Sequence, residues 1–211
     1  QKMTTTNFEA YKYEDNAADF WNNSNPLSGW REMQGSTLVS GMDKDAENFV
    51  KYQLSLMRAG SMEAFVRMMN AAAEDCGCVD TQFKNPNGLT ATGHYTSAYD
   101  IYLILRRLSE DEHFMKIISA GTYQAVYKDA DGNRKEETYT STVQYVEDGV
   151  SQIGSVSIVG GKTGTTQSAG HCLALICENG EGERYLAVVM KASSRDRLYE
   201  QIEHIVKKIQ K

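Results

Sequence analysis

The residues best equipped for chemistry in this sequence are Gly161-Lys162-Thr163-Gly164-Thr165-Thr166, set between two apolar, β-branched runs, Val156 to Val159 and Cys172 to Cys177. An ammonium, a hydroxyl and a residue without a side chain in succession suit a carboxylate ligand. Lys162 supplies charge, Thr163 a donor, and Gly164 room for a substrate backbone to lie against the chain. On a strand, such a triplet makes a cationic wall beside a cleft. The other reactive residue types do not assemble by spacing. The four histidines stand apart at positions 94, 113, 171 and 204, and Cys76-Gly77-Cys78 has too few neighbouring ligands for zinc, so no metal or other cofactor is expected. Cys172 and Cys177 are an odd number of positions apart on one strand, so they point to opposite faces and do not bridge each other. Buried free thiols are the expectation, although four cysteines leave room for a disulfide in an exported protein.

Positioning these residues requires a scaffold, and the hydrophobic periodicity outlines one. The first forty residues lack a clean period and read as loop-rich. Ala46, Phe49, Val50, Leu54 and Met57 then fall on one helical face, and Gly60-Ser61 ends that helix and caps the next, which carries Met62, Phe65, Val66, Met69 and Ala73 inward. Asn85-Pro86-Asn87-Gly88 is a turn, and Ser97 to Asp100 starts a helix that turns Ile101, Ile104, Leu105 and Leu108 inward. Segments 122–127 and 137–145 flank a polar hairpin turn over 129–133. Strand 155–160, the Lys-Thr-Gly triplet, strand 171–177, a turn over 179–182 and strand 184–191 follow. A helix from Ser194 closes the chain, with Leu198, Ile202, Ile205, Val206 and Ile209 inward. Helices, then an antiparallel meander, then a closing helix predict an α+β fold, an antiparallel sheet covered by helices.

Composition narrows the function. With 211 residues, 41% hydrophobic and 24% charged, the chain reads as a single domain over 1–211. No apolar run reaches membrane-spanning length and no leader is visible at the amino end. A net charge of -6 argues against general nucleic-acid binding. The basic cluster Lys207, Lys208 and Lys211 stands where a final helix ends and where cations suit its dipole.

Four blocks carry a family likeness: Gly60-Ser61-Met62-Glu63-Ala64-Phe65-Val66 with Met68-Met69-Asn70; Thr81-Gln82-Phe83 with Asn85-Pro86-Asn87-Gly88-Leu89; Gly93-His94-Tyr95-Thr96-Ser97-Ala98-Tyr99-Asp100; and Gly161 to Thr166 with Ala169-Gly170 and Cys172-Leu173. In this order and spacing they resemble the serine-type D-alanyl-D-alanine carboxypeptidases, low-molecular-mass penicillin-binding proteins. The resemblance implies a β-lactamase-like transpeptidase fold and a metal-free, β-lactam-sensitive acyl transfer built on S-x-x-K, S-x-N and K-T-G motifs. A serine attacks the D-Ala-D-Ala carbonyl, the lysine of its motif takes the proton, and water hydrolyses the acyl-enzyme. By this resemblance Lys162 stabilises charge in the cleft, Thr163 and Gly164 receive the substrate's terminal carboxylate and backbone, and the Thr165 amide supplies an oxyanion-hole donor. The partner implied is a peptidoglycan stem peptide, and the location is extracytoplasmic, in the bacterial cell envelope. The turn at Asn85 to Leu89 and the segment His94 to Asp100 are expected to be structural, with His94 packing and His171 at the rim.

The sequence also departs from the pattern. No serine is followed three positions later by lysine, and Ser28 and Ser55 are followed by Arg31 and Arg58, whose guanidinium stays protonated and cannot act as a neutral base. Lys2-Met3-Thr4 resembles the residues that follow the nucleophile, which makes Lys2 the candidate catalytic lysine and sets the serine just before Gln1. The second motif has two alignments: Ser40-Gly41-Met42-Asp43, which keeps the serine and makes Ser40 the candidate, or Ala46-Glu47-Asn48, which keeps the asparagine. Set against the family it resembles, the sequence has the amino-terminal strands missing or altered, so the apolar edge of strand 184–191 is expected to need covering by residues 1–40, an upstream segment or a partner chain. Two further readings stay open: a catalytically inactive homologue that binds the same peptides, and a β-lactamase-type hydrolase of the same fold.

Overall fold

The computed structural model describes residues 59–128, 133–147 and 151–209. The loop-rich start and the helix expected over Ala46 to Met57 lie outside the described residues. Along the chain run α1 (Met62–Asp75), α2 (Ala98–Leu108), α3 (Glu112–Ile118), β1 (Thr122–Lys128), β2 (Arg134–Thr140), α4 (Gln144–Glu147), β3 (Gln152–Ile153), β4 (Val156–Thr166), β5 (Gly170–Glu178), β6 (Arg184–Ala192) and α5 (Arg195–Val206), the last continued by a 3-10 turn over Lys207–Ile209.

Each longer helix starts on a side-chain cap. Ser61, Ser97, Asp111 and Ser194 accept from the amides of Ala64, Asp100, Phe114 and Arg197, satisfying donors that a helix start leaves open. At the start of α2 the Asp100 carboxylate does not turn back to the Ser97 amide. It is fully buried and instead accepts the Asp80 amide at 2.7 Å and the Thr81 hydroxyl at 2.6 Å. The Thr81 hydrogen bond holds its pKa below the usual carboxylate value. Asp100 thereby ties the loop after α1 to the start of α2.

β3 to β6 form one antiparallel sheet in sequence order, and β1 with β2 form a separate hairpin. One sheet face carries Val156, Ile158, Leu173, Leu175, Cys177, Ala187 and Val189 against Leu198, Tyr199, Ile202 and Val206 of α5 and Val143 and Val146 beside α4. The other face carries Ile176, Ala174, Val159 and Leu186 against Leu105 of α2 and Phe114, Met115 and Ile118 of α3. A third cluster of Ala73, Cys78 and Leu103 joins α1 to α2. The predicted α+β class, a helix-covered antiparallel sheet, is the one observed.

Several local expectations change. α3, seven residues long, was too short to register as a helical period. The hairpin strands end at Thr140, and residues 141–147 turn back over the sheet instead of extending β2. β4 runs unbroken through Lys162-Thr163-Gly164, so the triplet is part of the strand and does not follow it. In α2 the buried apolar residues are Leu103 and Leu105, beside the buried Asp100, whereas Leu108 is exposed because the sheet covers only part of that helix. In α5, Ile205 is exposed and Tyr199 is buried: the inward stripe is Leu198, Ile202 and Val206, and Tyr199 stacks edge-on against Tyr145. In α1 only Ala73 is fully buried, and Met62, Phe65, Val66 and Met69 are half-buried.

Candidate active site

The site is an edge of the sheet. β3 pairs only with Ser157 and Val156 of β4, so from Val159 to Thr166 that side of β4 has no strand partner among the described residues. An unpaired strand edge presents backbone donors and acceptors to any extended peptide laid beside it. Lys162, Thr163, Gly164 and Thr165 all lie on this stretch, opposite Ala174, Leu173, Cys172 and His171 of β5.

Which side of the sheet each residue faces is set by a β-bulge. The register slips between Ile158 and Gly160, with one extra residue in β4. Strict alternation from Val156 and Ile158 would place Lys162 on the α5 side. The extra residue moves it to the side of α2 and α3, with Ala174 and Ile176, and puts Thr163 on the α5 side with Leu173. Glycine makes this stretch possible. A Cβ at Gly160 would stand 2.6 Å from the Ile118 carbonyl oxygen, and one at Gly161 would stand 2.5 Å from that of Ala174. At Gly164 a Cβ would meet nothing among the described residues within 4 Å. The first two glycines serve packing, and the third leaves open space beside Lys162.

Lys162 is exposed and its ammonium donates to the Thr163 carbonyl at 2.6 Å. The Thr163 hydroxyl shares a 2.6 Å hydrogen bond with the Thr142 hydroxyl, from the segment after the β1–β2 hairpin. Thr165 Oγ1 lies 3.4 Å from His171 Nδ1. At the far end of β4, Thr90 bonds Ser168 at 2.7 Å and donates to Thr166 at 3.3 Å, docking the 85–92 loop on the β4–β5 turn. That loop holds itself: Asn85 accepts the Gly88 amide and donates to the Leu89 carbonyl, and Gly88 takes φ +76°. His94 Nδ1 accepts the Lys84 amide at 3.3 Å and its ring meets Phe83 edge-on, and burial pulls its pKa below the usual histidine value.

The structure thus brings Lys162, Thr163, Gly164 and Thr165 together on one edge. Ser40 and Lys2 lie outside the described residues. His94 and the 85–89 turn have the packing and turn contacts expected of structural residues, and His171 is half-buried beside Thr165. All four cysteines are free thiols, with Cys78 and Cys177 buried and Cys76 and Cys172 half-buried. Lys207, which pairs with Glu203, and Lys208 lie in the closing 3-10 turn, and Lys211 lies outside the described residues. Thr142 and Thr90 went unnoticed in the sequence. Each reaches the triplet strand from a distant segment, and neither sits in a motif.

A profile described as D-alanyl-D-alanine carboxypeptidase matches residues 3–194. The chain is 31% identical over 168 residues to the D-alanyl-D-alanine carboxypeptidase DacF of Bacillus subtilis, covering 80% of this chain and 40% of that protein. It is 29% identical over 181 residues to DacA of Escherichia coli, covering 82% and 41%. The chain therefore spans about 40% of the length of these curated relatives. Among solved structures, the Streptomyces K15 DD-transpeptidase superposes with a TM-score of 0.67 at 19% identity, over 75% of this chain and 60% of that one. A D-alanyl-D-alanine carboxypeptidase of Mycobacterium tuberculosis gives 0.61 at 20% identity, over 76% and 58%. At such identities these structural matches speak to the fold.

Proposed function

The chain belongs to the D-alanyl-D-alanine carboxypeptidase family, and on that premise we propose that the protein trims the terminal D-alanine from peptidoglycan stem peptides by acyl transfer to a serine and then to water. The observation that carries the reading is the edge of β4 that has no strand partner among the described residues, with the Lys162 ammonium, the Thr163 hydroxyl and Gly164 in succession along it.

In this reading the peptide lies as an added strand along β4. Thr163 receives the terminal carboxylate, Lys162 offsets its charge and the charge that develops on the carbonyl oxygen, and the Thr165 amide donates to that oxygen. Lys2 takes the proton of the attacking serine and Ser40 relays it toward the departing D-alanine. No metal is required, because the charge that builds up is met by hydrogen-bond donors and an ammonium. The substrate places the reaction in the cell envelope, outside the cytoplasmic membrane.

The test is release of D-alanine from an acylated L-Lys-D-Ala-D-Ala peptide by the protein carrying the serine expected just before Gln1, followed beside equilibrium binding of the same peptide and of its all-L counterpart. Release that is lost in Lys162→Ala supports the proposal. Binding without release overturns the hydrolytic part and leaves a peptide-binding homologue, and absence of both overturns the whole reading.

A further inference from the structure

Outside every motif, the side chain nearest in kind to Thr163 is Thr142, and the two hydroxyl oxygens are 2.6 Å apart. The chain around Thr142 is fixed on both sides. The Ser141 amide donates to the Gly121 carbonyl at 2.7 Å, which closes the foot of the β1–β2 hairpin. The Val143 amide donates to the Ser141 hydroxyl at 3.2 Å, the Val143 side chain is buried in the α5-side core, and the Gln144 amide donates to the Tyr199 hydroxyl at 3.0 Å. Thr142 itself is exposed. The burial of Val143 and the flanking hydrogen bonds thus hold the exposed Thr142 hydroxyl in place beside Thr163.

Each of these hydroxyls has one proton and two lone pairs, so their mutual hydrogen bond uses only one of the two protons. A carboxylate arriving at the pair gives both protons an acceptor: the mutual hydrogen bond opens and two charge-assisted ones replace it, one to each carboxylate oxygen. We infer that Thr142 and Thr163 together form the recognition site for the substrate's terminal carboxylate, with Thr142 as a specificity-determining residue that selects a free acid over a neutral terminus. The inference rests on the functional reading above and adds to it the residue and the segment that complete carboxylate recognition. It also gives the β1–β2 hairpin a role, because the hairpin's closed foot is what holds Thr142 against the strand.

The test is equilibrium binding of two probes to the full chain: acylated L-Lys-D-Ala-D-Ala with a free carboxylate, and the same peptide as its C-terminal carboxamide. Loss of a hydrogen bond to a charged group predicts that Thr142→Val weakens the free-acid peptide about tenfold or more and leaves the carboxamide within about twofold. Thr142→Ser, which keeps the hydroxyl, should restore the preference, and thermal melts of each variant separate loss of recognition from loss of fold. Equal weakening of both probes, or unchanged free-acid binding in Thr142→Val while Thr163→Val loses it, overturns the role of Thr142 alone. If the unaltered chain does not distinguish acid from amide, carboxylate recognition on this strand fails altogether, and this inference with it.

Discussion

Replacing Gly164 and Gly161 separately by alanine tests whether the open stretch of β4 is the binding surface. At Gly161 a Cβ would stand 2.5 Å from the Ala174 carbonyl oxygen and 2.6 Å from Leu175 Cδ2, with Leu175 fully buried. The carbonyl oxygen cannot withdraw without moving β5, and the buried Leu175 has little room to turn its methyl aside, so Gly161→Ala should cost about 1–3 kcal/mol, the usual penalty of overpacking. In a chain of this size that is a fall in melting temperature of roughly 2–4 °C per kcal/mol. At Gly164 a Cβ meets nothing among the described residues within 4 Å, and φ there is not positive. Gly164→Ala should therefore fold at least as well, with a gain of about 0.5 kcal/mol from the less flexible unfolded chain. A peptide lying over Gly164 would meet the new methyl group, be held off the strand, and forfeit about one backbone hydrogen bond and its contacts, roughly tenfold in affinity. Urea unfolding of both variants beside titration with acylated L-Lys-D-Ala-D-Ala separates the effects. Undiminished peptide binding by Gly164→Ala would refute the placement of substrate over this residue, and an unchanged midpoint for Gly161→Ala would refute the packing argument.

Three further outcomes follow from the same structure. Ile202 is fully buried between α5 and the sheet, so Ile202→Ala should destabilise by about 2–5 kcal/mol in urea melts. Cys177 is fully buried, and burial pushes its thiol pKa up to about 12. Native-state alkylation at pH 8 read by peptide mass spectrometry should label the half-buried Cys76 and Cys172 first and leave Cys177 unmodified until the protein unfolds. His94 has its pKa lowered by burial, so it favours the neutral form in the folded chain. Its contribution to stability is complete above the ordinary histidine value of 6.5 and is lost as pH falls through the folded pKa. His94→Gln should flatten that part of the stability-against-pH curve in urea titrations, and an unchanged slope would count against the assignment.

The sequence alone determined the parts that depend on neighbours along the chain. Capping serines at positions 61, 97 and 194, the Asn85 to Gly88 turn and the alternation that separates Cys172 from Cys177 are local, because their hydrogen bonds and pleat periods span four residues or fewer. The Lys-Thr-Gly triplet and its family likeness were legible for the same reason. The sequence misplaced what depends on contacts across the fold. Leu108 and Ile205 fit a helical period but face outward, since the width of the opposing sheet sets how much of a helix is covered. Asp100 read as a capping partner and became a buried link to Thr81, because a loop some twenty residues earlier supplies its donors.

The tertiary structure also decided the side of the sheet on which Lys162 works. A one-residue bulge between Ile158 and Gly160 inverts the alternation, and the adjacent glycines alone do not say at which residue the register shifts. It forms where the two adjacent glycines let α3 and β5 approach closer than any side chain allows. Likewise Thr142 reaches Thr163 only because the chain leaves β2 at Thr140 and is pinned by Tyr199 from α5, more than fifty residues on. The triplet's chemistry is thus written locally, while its orientation and its second hydroxyl come from packing, which joins segments that sequence spacing cannot relate.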